Sequence, residues 1–275
     1  MDFLIVNGEV VSKAKANLTG FLWNEPFIMV QKLWFGFGGI PLFQENLKQI
    51  EKQFRTFNQQ LPNLFKNERE LFRLTKRMLN KNKYYRSGYV SFQFFISPKE
   101  INSLITCCAL PEFNFPISEQ GLLVNFAETR KNSQLKLGAY KCHNLNLWNA
   151  AKAEVQNSQL NSSILLNEKE MVCEGISSNV FMIKDGILVT PSLESGCYND
   201  VLRSAILSLA KKLNLKTIEV PEIKKDHLFE MDEVFFLSEE QGVNWILGIE
   251  NKRFVHELSE QIHEELNNYL QNKVS

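Results

Sequence analysis

Three segments of this 275-residue chain combine residue types and spacing that can do chemistry. The first is Leu135-Lys136-Leu137-Gly138-Ala139-Tyr140-Lys141, where Leu135, Leu137, Ala139 and Lys141 alternate. If this segment is a strand, the alternation puts those four side chains on one face. A lysine that ends an apolar face loses part of its hydration, which favours the neutral amine and frees it to attack a carbonyl carbon. The same pattern also fits a lysine that merely ends a strand and reaches into solvent.

The second segment, Met171-Val172-Cys173-Glu174-Gly175-Ile176-Ser177-Ser178-Asn179-Val180-Phe181, sets a carboxylate beside a small, hydroxyl-rich turn between two strands. A carboxylate there can hold a protonated ring nitrogen, and Ser and Asn donors can bind anions. The third runs from Thr190-Pro191 through Gly196 to Asp200-Val201-Leu202-Arg203, from a strand into a helix. A helix N-terminus offers free backbone N–H groups to an anion. Asp200 opposes an anion at that place and reads as an N-terminal cap.

These segments need a framework. Phe3 to Val6, Asn7-Gly8 and Glu9 to Val11 predict a hairpin. Phe27–Phe35 and Ile40–Phe43 predict a second strand pair joined by Gly36-Phe37-Gly38-Gly39, whose glycines lack dinucleotide-loop spacing. Leu47, Ile50, Phe54 and Phe57 recur at helical spacing over 44–60, and a second helix is expected over 68–80. Strands over 88–97 and 102–110 complete a smaller N-terminal α+β domain, residues 1–115.

Pro116, Ser118 and Gly121 mark an interdomain linker at 116–121. The larger second domain, 122–275, is expected to hold strands near 121–126, 162–167, 170–174, 179–183, 187–190, 216–220 and 233–238. Helices are expected over 145–156 and 200–213 and from 256 onward.

Lys plus Arg and Asp plus Glu both number 31, so the formal net charge is zero and nothing favours nucleic acid. The basic run from Lys76 to Lys83 reads as a solvated helix end. Met1-Asp2 opens neither a signal peptide nor a lipidation motif, and no apolar run reaches the length of a membrane span. A cytoplasmic protein without membrane attachment is expected. The five cysteines form no C-x-x-C pair and the four histidines are scattered, so reduced thiols and no metal site are expected.

In order and spacing, the second half resembles the class IV aminotransferases. These fold type IV pyridoxal-phosphate enzymes include branched-chain and D-amino-acid aminotransferases and 4-amino-4-deoxychorismate lyase. Lys141-Cys142-His143-Asn144-Leu145 matches the family's lysine, short gap and Asn-Leu. Glu174 through Phe181 matches its E-G-x-x-S-N-hydrophobic-F, and Thr190, Pro191, Gly196 and Arg203 match its T-P-x-x-x-G pattern ending in arginine. Asp232-Glu233-Val234-Phe235 and Gln241-Gly242-Val243 resemble its last core strand and cofactor-side turn. The resemblance is good over 135–254 and weaker before it.

The resemblance implies a two-domain α/β (α+β) architecture with a barrel-like larger domain, usually in a homodimer. It implies pyridoxal 5′-phosphate as cofactor, Lys141 as Schiff-base lysine and acid/base, and Glu174 as partner of the pyridine nitrogen. Ser178, Asn179, Val201, Leu202, Ser238 and Glu239 would line the cofactor site. The implied reaction transfers an amino group between an amino acid and a keto acid. A lyase-type elimination and a non-catalytic member with a damaged phosphate cup are the alternatives.

The departures from the family cluster at the phosphate and substrate ends. Trp23-Asn24-Glu25-Pro26-Phe27-Ile28-Met29 stands where members carry Tyr-Gly-Asp-Gly-x-Phe-Glu. Leu42 and Asn46 stand at an Arg and a His, Asp200-Val201-Leu202 stands at Gly-Ile-Thr, and Ser91 stands at a strand arginine. Arg86 and Arg130 are the candidate replacements for the substrate-carboxylate clamp.

Overall fold

The computed structural model describes residues 1–22 and 27–274. The departure at Trp23-Asn24-Glu25-Pro26 therefore lies outside the described residues. The chain divides into two compact units, 1–115 with 269–275, and 116–268. The last seven residues, expected with the second domain, group with the first.

In the first unit, β1 (Phe3–Val6) and β2 (Glu9–Ser12) form the expected hairpin, with Asn7 and Gly8 both at positive φ, 48° and 93°. After β3 (Phe27–Phe35) come α1 (Phe43–Thr56), the short α2 (Asn63–Lys66) and α3 (Glu68–Lys81), then β4 (Ser87–Ile96) and β5 (Ile101–Leu110). The sheet runs β2-β1-β5-β4-β3. Phe54 and Phe65 from the helical layer meet Phe94 and Phe92 edge-on, with ring centroids 5.0 and 5.4 Å apart. Such pairs add specific geometry to apolar burial.

Ile40–Phe43 is not the strand its apolar run predicts. Gly36 and Gly39 exchange backbone hydrogen bonds of 3.1 and 2.9 Å, the turn ends there, and α1 begins at Phe43 with Leu42 as its N-cap. The partner of β3 is β4 along its full length. A short apolar run fits a helix entrance as well as a strand, and the amphipathic helix behind it decided the outcome.

The second unit contains β6 (Leu122–Lys131), α4 (Lys141–Val155), β7 (Ser162–Asn167), β8 (Val172–Gly175), β9 (Asn179–Lys184) and β10 (Ile187–Pro191). It continues with α5 (Val201–Lys212), β11 (Lys216–Val220), α6 (Lys225–Leu228), β12 (Glu233–Ser238), β13 (Gly242–Ile249) and β14 (Lys252–Arg253). The last helix, α7 (Glu257–Val274), begins in this unit. Its sheet runs β11-β10-β9-β12-β13-β6-β7-β8, with β14 on β13.

In that order β8 and β9 stand five strand steps apart, roughly 24 Å in a flat sheet. Yet only Ile176, Ser177 and Ser178 link them, through a turn closed by the Gly175 N–H to the Ser178 carbonyl at 2.9 Å. The sheet must therefore curl toward itself, as a half-barrel. Ile164, Val180, Met182, Val234, Phe236 and Ile246 belong to its buried apolar core.

One reading of the sequence fails in this unit. Residues 135–141 form a 3-10 turn, Lys136–Ala139, and then the start of α4, so Leu135, Leu137, Ala139 and Lys141 share no strand face. The strand is β6, which ends at Lys131. A register shift in its pairing with β7 hides the alternation that would have marked it. The segment expected as the interdomain linker stands at the start of this unit. Val243 N–H donates to the Pro116 carbonyl and Ser118 N–H to the Val243 carbonyl, both at 2.9 Å, so the segment lies along β13.

Candidate active site

Lys141 is the first residue of α4, entered from an extended Tyr140. The Asn144 side chain pins the approach by donating to the Gly138 and Tyr140 carbonyls at 2.7 and 2.9 Å. These bonds tie the 3-10 turn before the helix to its first turn and fix the backbone that carries the lysine. Lys141 is 7% exposed, and its ammonium is paired with Glu240, in the turn after β12.

Glu174 lies in β8 opposite Leu165 and is completely buried. Its Oε1 accepts from the Trp148 indole N–H of α4 at 2.7 Å. Its Oε2 accepts from the Lys131 ammonium and from the Tyr198 backbone N–H. A carboxylate offers about four acceptor positions. Three are used, leaving one on Oε1. Lys131 is as buried as its partner, so the pair sits in a low-dielectric setting where each charge requires the other.

The segment Tyr198–Asp200 connects this carboxylate to a second one. Tyr198 binds Glu174 through its backbone, while its hydroxyl hydrogen-bonds Asp200. Asn179, the first residue of β9, clamps the segment: its amide donates to the Tyr198 carbonyl, and its Oδ1 accepts from Asp200 N–H at 3.3 Å. Burial pushes the Tyr198 phenol well above its ordinary value, with the Asp200 charge adding to the effect. The hydroxyl therefore stays protonated and donates.

Asp200 is the N-cap of α5, as its type and place suggested. Its carboxylate accepts from Leu202 N–H at 2.9 Å, and from Glu239 N–H at 3.2 and 3.3 Å to its two oxygens. Burial pushes the group up to about 6, against the pull of those two N–H groups and of Lys141. Near neutral pH it is mostly an anion held by dipoles from two elements.

The candidate residues thus separate by position. Lys141, Leu202 and Glu239 surround Asp200, and Val201, half-buried, opens the helix above it. Glu174 and Asn179 join this group through Tyr198. Ser178 and Ser238 close turns: the Ser178 hydroxyl donates to the Ile176 carbonyl at 3.4 Å, and Ser238 Oγ accepts from Gln241 N–H at 3.2 Å.

Lys131, Trp148, Tyr198 and Glu240 were missed by sequence reasoning. Lys131 carried no legible signal because of the register shift in β6. Trp148 sits one helical turn beyond Asn144, in a helix whose start had been placed too late to put both on one face. Of the replacement arginines, Arg130 is bound to Glu170 through two hydrogen bonds of 2.6 and 3.0 Å. In the first unit, Arg86 lies over the Phe113 ring at 4.7 Å.

The family model of amino-transferase class IV matches residues 38–246. The chain belongs to the class IV aminotransferases, a family of pyridoxal-phosphate enzymes. It is 27% identical over 198 residues to a probable branched-chain-amino-acid aminotransferase of Aquifex aeolicus, covering 67% of this chain and 62% of that protein. It is 28% identical over 151 residues to the aminodeoxychorismate lyase of Vibrio harveyi, covering 52% of this chain and 55% of that one. Both matches thus span less than two thirds of the relative's own length. The branched-chain amino acid aminotransferase from Thermobaculum terrenum in its PLP-form shares the fold, with a TM-score of 0.85, 17% identity and coverage of 99% and 94% of the two chains. No described helix is long and apolar enough to cross a membrane.

Proposed function

We propose that this chain is a pyridoxal-phosphate-dependent aminotransferase that moves an amino group between an amino acid and a keto acid, with Lys141 as its reactive lysine. The observation that carries this reading is a buried amine at a helix start, in the same unit as a fully buried carboxylate with one acceptor position to spare. The donor set suits two of the cofactor's three functional ends. Lys141 offers an amine to the aldehyde, and Glu174 offers an oxygen to the ring nitrogen. At the phosphate end the backbone donors are present, but Asp200 already holds them.

The cofactor, when bound, supplies an electron sink for charge developing at the substrate carbon. Lys141 would serve as the general base and then the general acid for the proton at that carbon. Asn144, through the Gly138 and Tyr140 carbonyls, fixes the backbone from which the amine projects. Glu240 holds the ammonium form between these events. Lys131, Trp148 and the Tyr198 N–H hold Glu174 fixed in a buried setting, from which it would offer an oxygen to the ring nitrogen. Asn179 positions the Tyr198–Asp200 segment against both carboxylates, while Ser178 and Ser238 shape the turns on either side.

The Aquifex aeolicus and Thermobaculum terrenum proteins are named as branched-chain aminotransferases, which directs the first substrate panel to leucine, isoleucine and valine. The Vibrio harveyi relative supports a second reading, an elimination that uses the same lysine. The homodimer belongs to the proposal as well, and sedimentation tests it. The decisive experiment mixes protein with pyridoxal 5′-phosphate and follows a visible band beside Lys141→Ala. A band that borohydride fixes onto the Lys141 peptide supports the reading and opens the substrate panel. No Lys141-dependent band at saturating cofactor sinks it.

A further inference from the structure

The N-terminus of α5 and the turn after β12 aim two backbone N–H groups at one anion, and that anion is part of the chain. Leu202 N–H lies 2.9 Å from Asp200 Oδ1, and Glu239 N–H lies 3.2 and 3.3 Å from the two oxygens. The Tyr198 hydroxyl adds a third donor. Asp200 itself is 5% exposed, so its carboxylate is an enclosed occupant and not a surface cap.

We propose that Asp200 is a built-in competitor for the phosphate cradle, so that the 5′-phosphate contributes almost nothing to cofactor binding until Asp200 is removed. The reasoning is steric and electrostatic. A phosphate needs the N–H groups that Asp200 holds, and a dianion placed beside an occupied cradle meets a like charge at hydrogen-bond range. Glu239 and Glu240, consecutive in the same turn, raise the negative charge there further. The Lys141 cation is already paired with Glu240. The donors of Glu174 are the Lys131 ammonium, the Trp148 indole and the Tyr198 N–H, none of which binds the Asp200 carboxylate, so the ring end keeps them through this exchange. The site is therefore built to accept the unphosphorylated aldehyde, pyridoxal, about as well as pyridoxal 5′-phosphate. This inference rests on the proposed function for the identity of the ligand, while the occupied cradle stands on geometry alone.

Two substitutions open the cradle differently. Asp200→Gly removes the occupant. Its backbone, φ −67° and ψ 148°, is open to glycine, and glycine is a tolerated N-cap. Asp200→Asn keeps the cap but removes the charge. Equilibrium binding of pyridoxal and of pyridoxal 5′-phosphate is read from the Lys141-dependent absorbance, with Lys141→Ala as blank. Inorganic phosphate alone is titrated in a thermal-shift assay. The wild type should bind the two aldehydes within about threefold of each other. Asp200→Gly should prefer the phosphorylated one by roughly 10- to 100-fold, the range of charge-assisted hydrogen bonds regained. Asp200→Asn should fall between. Phosphate should stabilise Asp200→Gly and leave the wild type unmoved.

A wild type that already prefers the phosphorylated aldehyde by more than tenfold, or is stabilised by phosphate as strongly as Asp200→Gly, overturns the proposal and leaves the aminotransferase reading intact. Phosphate binding to Asp200→Gly alone, with no Lys141-dependent absorbance from either aldehyde in any variant, overturns the aminotransferase reading and supports the occupied cradle. Asp200 variants that fold, as judged by their far-UV spectra, but bind no phosphate and show no changed aldehyde preference also overturn it.

Discussion

Lys131 and Glu174, at the end of β6 and within β8, form an ion pair in which neither side chain is more than 2% exposed. The pair spans strands on either side of β7 and holds in place the carboxylate on which the proposed chemistry depends. Removing one partner of a buried pair is costlier than removing both, because the survivor keeps its desolvation penalty. Lys131→Met should therefore cost about 3–5 kcal/mol in urea unfolding, while Lys131→Met with Glu174→Leu should cost less than the single change. If the double variant is the weaker protein, Glu174 is not supported by Lys131 in solution.

Asp200 supplies a pH signature. Its folded value of about 6 lies above the ordinary 3.8 that it regains on unfolding. Between those values the folded chain keeps a proton the unfolded chain has lost, so this group's contribution falls as pH rises from about 4 to about 6. The shift of about two units amounts to roughly 3 kcal/mol, and the deficit persists at higher pH. Asp200→Asn keeps an acceptor for Leu202 N–H and removes the titration. Its stability relative to wild type should climb across that window and level off above about pH 6 in parallel urea series. A gap independent of pH would show that Asp200 titrates as an ordinary carboxylate.

Glu240 holds the Lys141 ammonium, so it delays any reaction that needs the free amine. Glu240→Gln should speed the appearance of the Lys141-dependent band near pH 7 by about two- to fivefold, the scale of a partly exposed ion pair. Stopped-flow absorbance gives the rate. An unchanged rate means the ion pair does not limit the amine.

Gly242 opens β13 at φ +78°, and a Cβ there runs into the Pro116 carbonyl. Gly186 has a similar φ of +72° in the β9–β10 turn but open space around it. Gly242→Ala should therefore cost roughly 2–4 kcal/mol and Gly186→Ala about 1 kcal/mol, since only the first adds a collision to backbone strain. Thermal unfolding of the two variants side by side measures the difference. Equal losses would mean that Pro116 moves aside freely.

Much of the framework was legible because it depends on local physics. Asn7-Gly8 turns its hairpin through positive φ, which those residue types tolerate. The apolar spacing of Ile50, Phe54, Leu71, Leu74 and Met78 sets the buried faces of α1 and α3. Asp200 read as a cap and is one. By contrast, Ile40–Phe43 and Leu135–Lys141 were misread as strands. In both, a short apolar pattern fits two local structures, and packing against distant elements selects one.

The sequence by itself determined the family, through the ordered motifs around Lys141, Glu174, Thr190 and Arg203, and it determined the turn of the first hairpin and the cap of α5. Only the tertiary structure decided what those residues touch. It joined Lys131 to Glu174 across 43 positions, Glu239 to Asp200 across 39, and Glu240 to Lys141 across 99. Such pairings are set by the curl of one sheet, which brings chain segments together by strand order and not by sequence distance. Charges so placed are far stronger in the low dielectric of a core than any local pattern reveals.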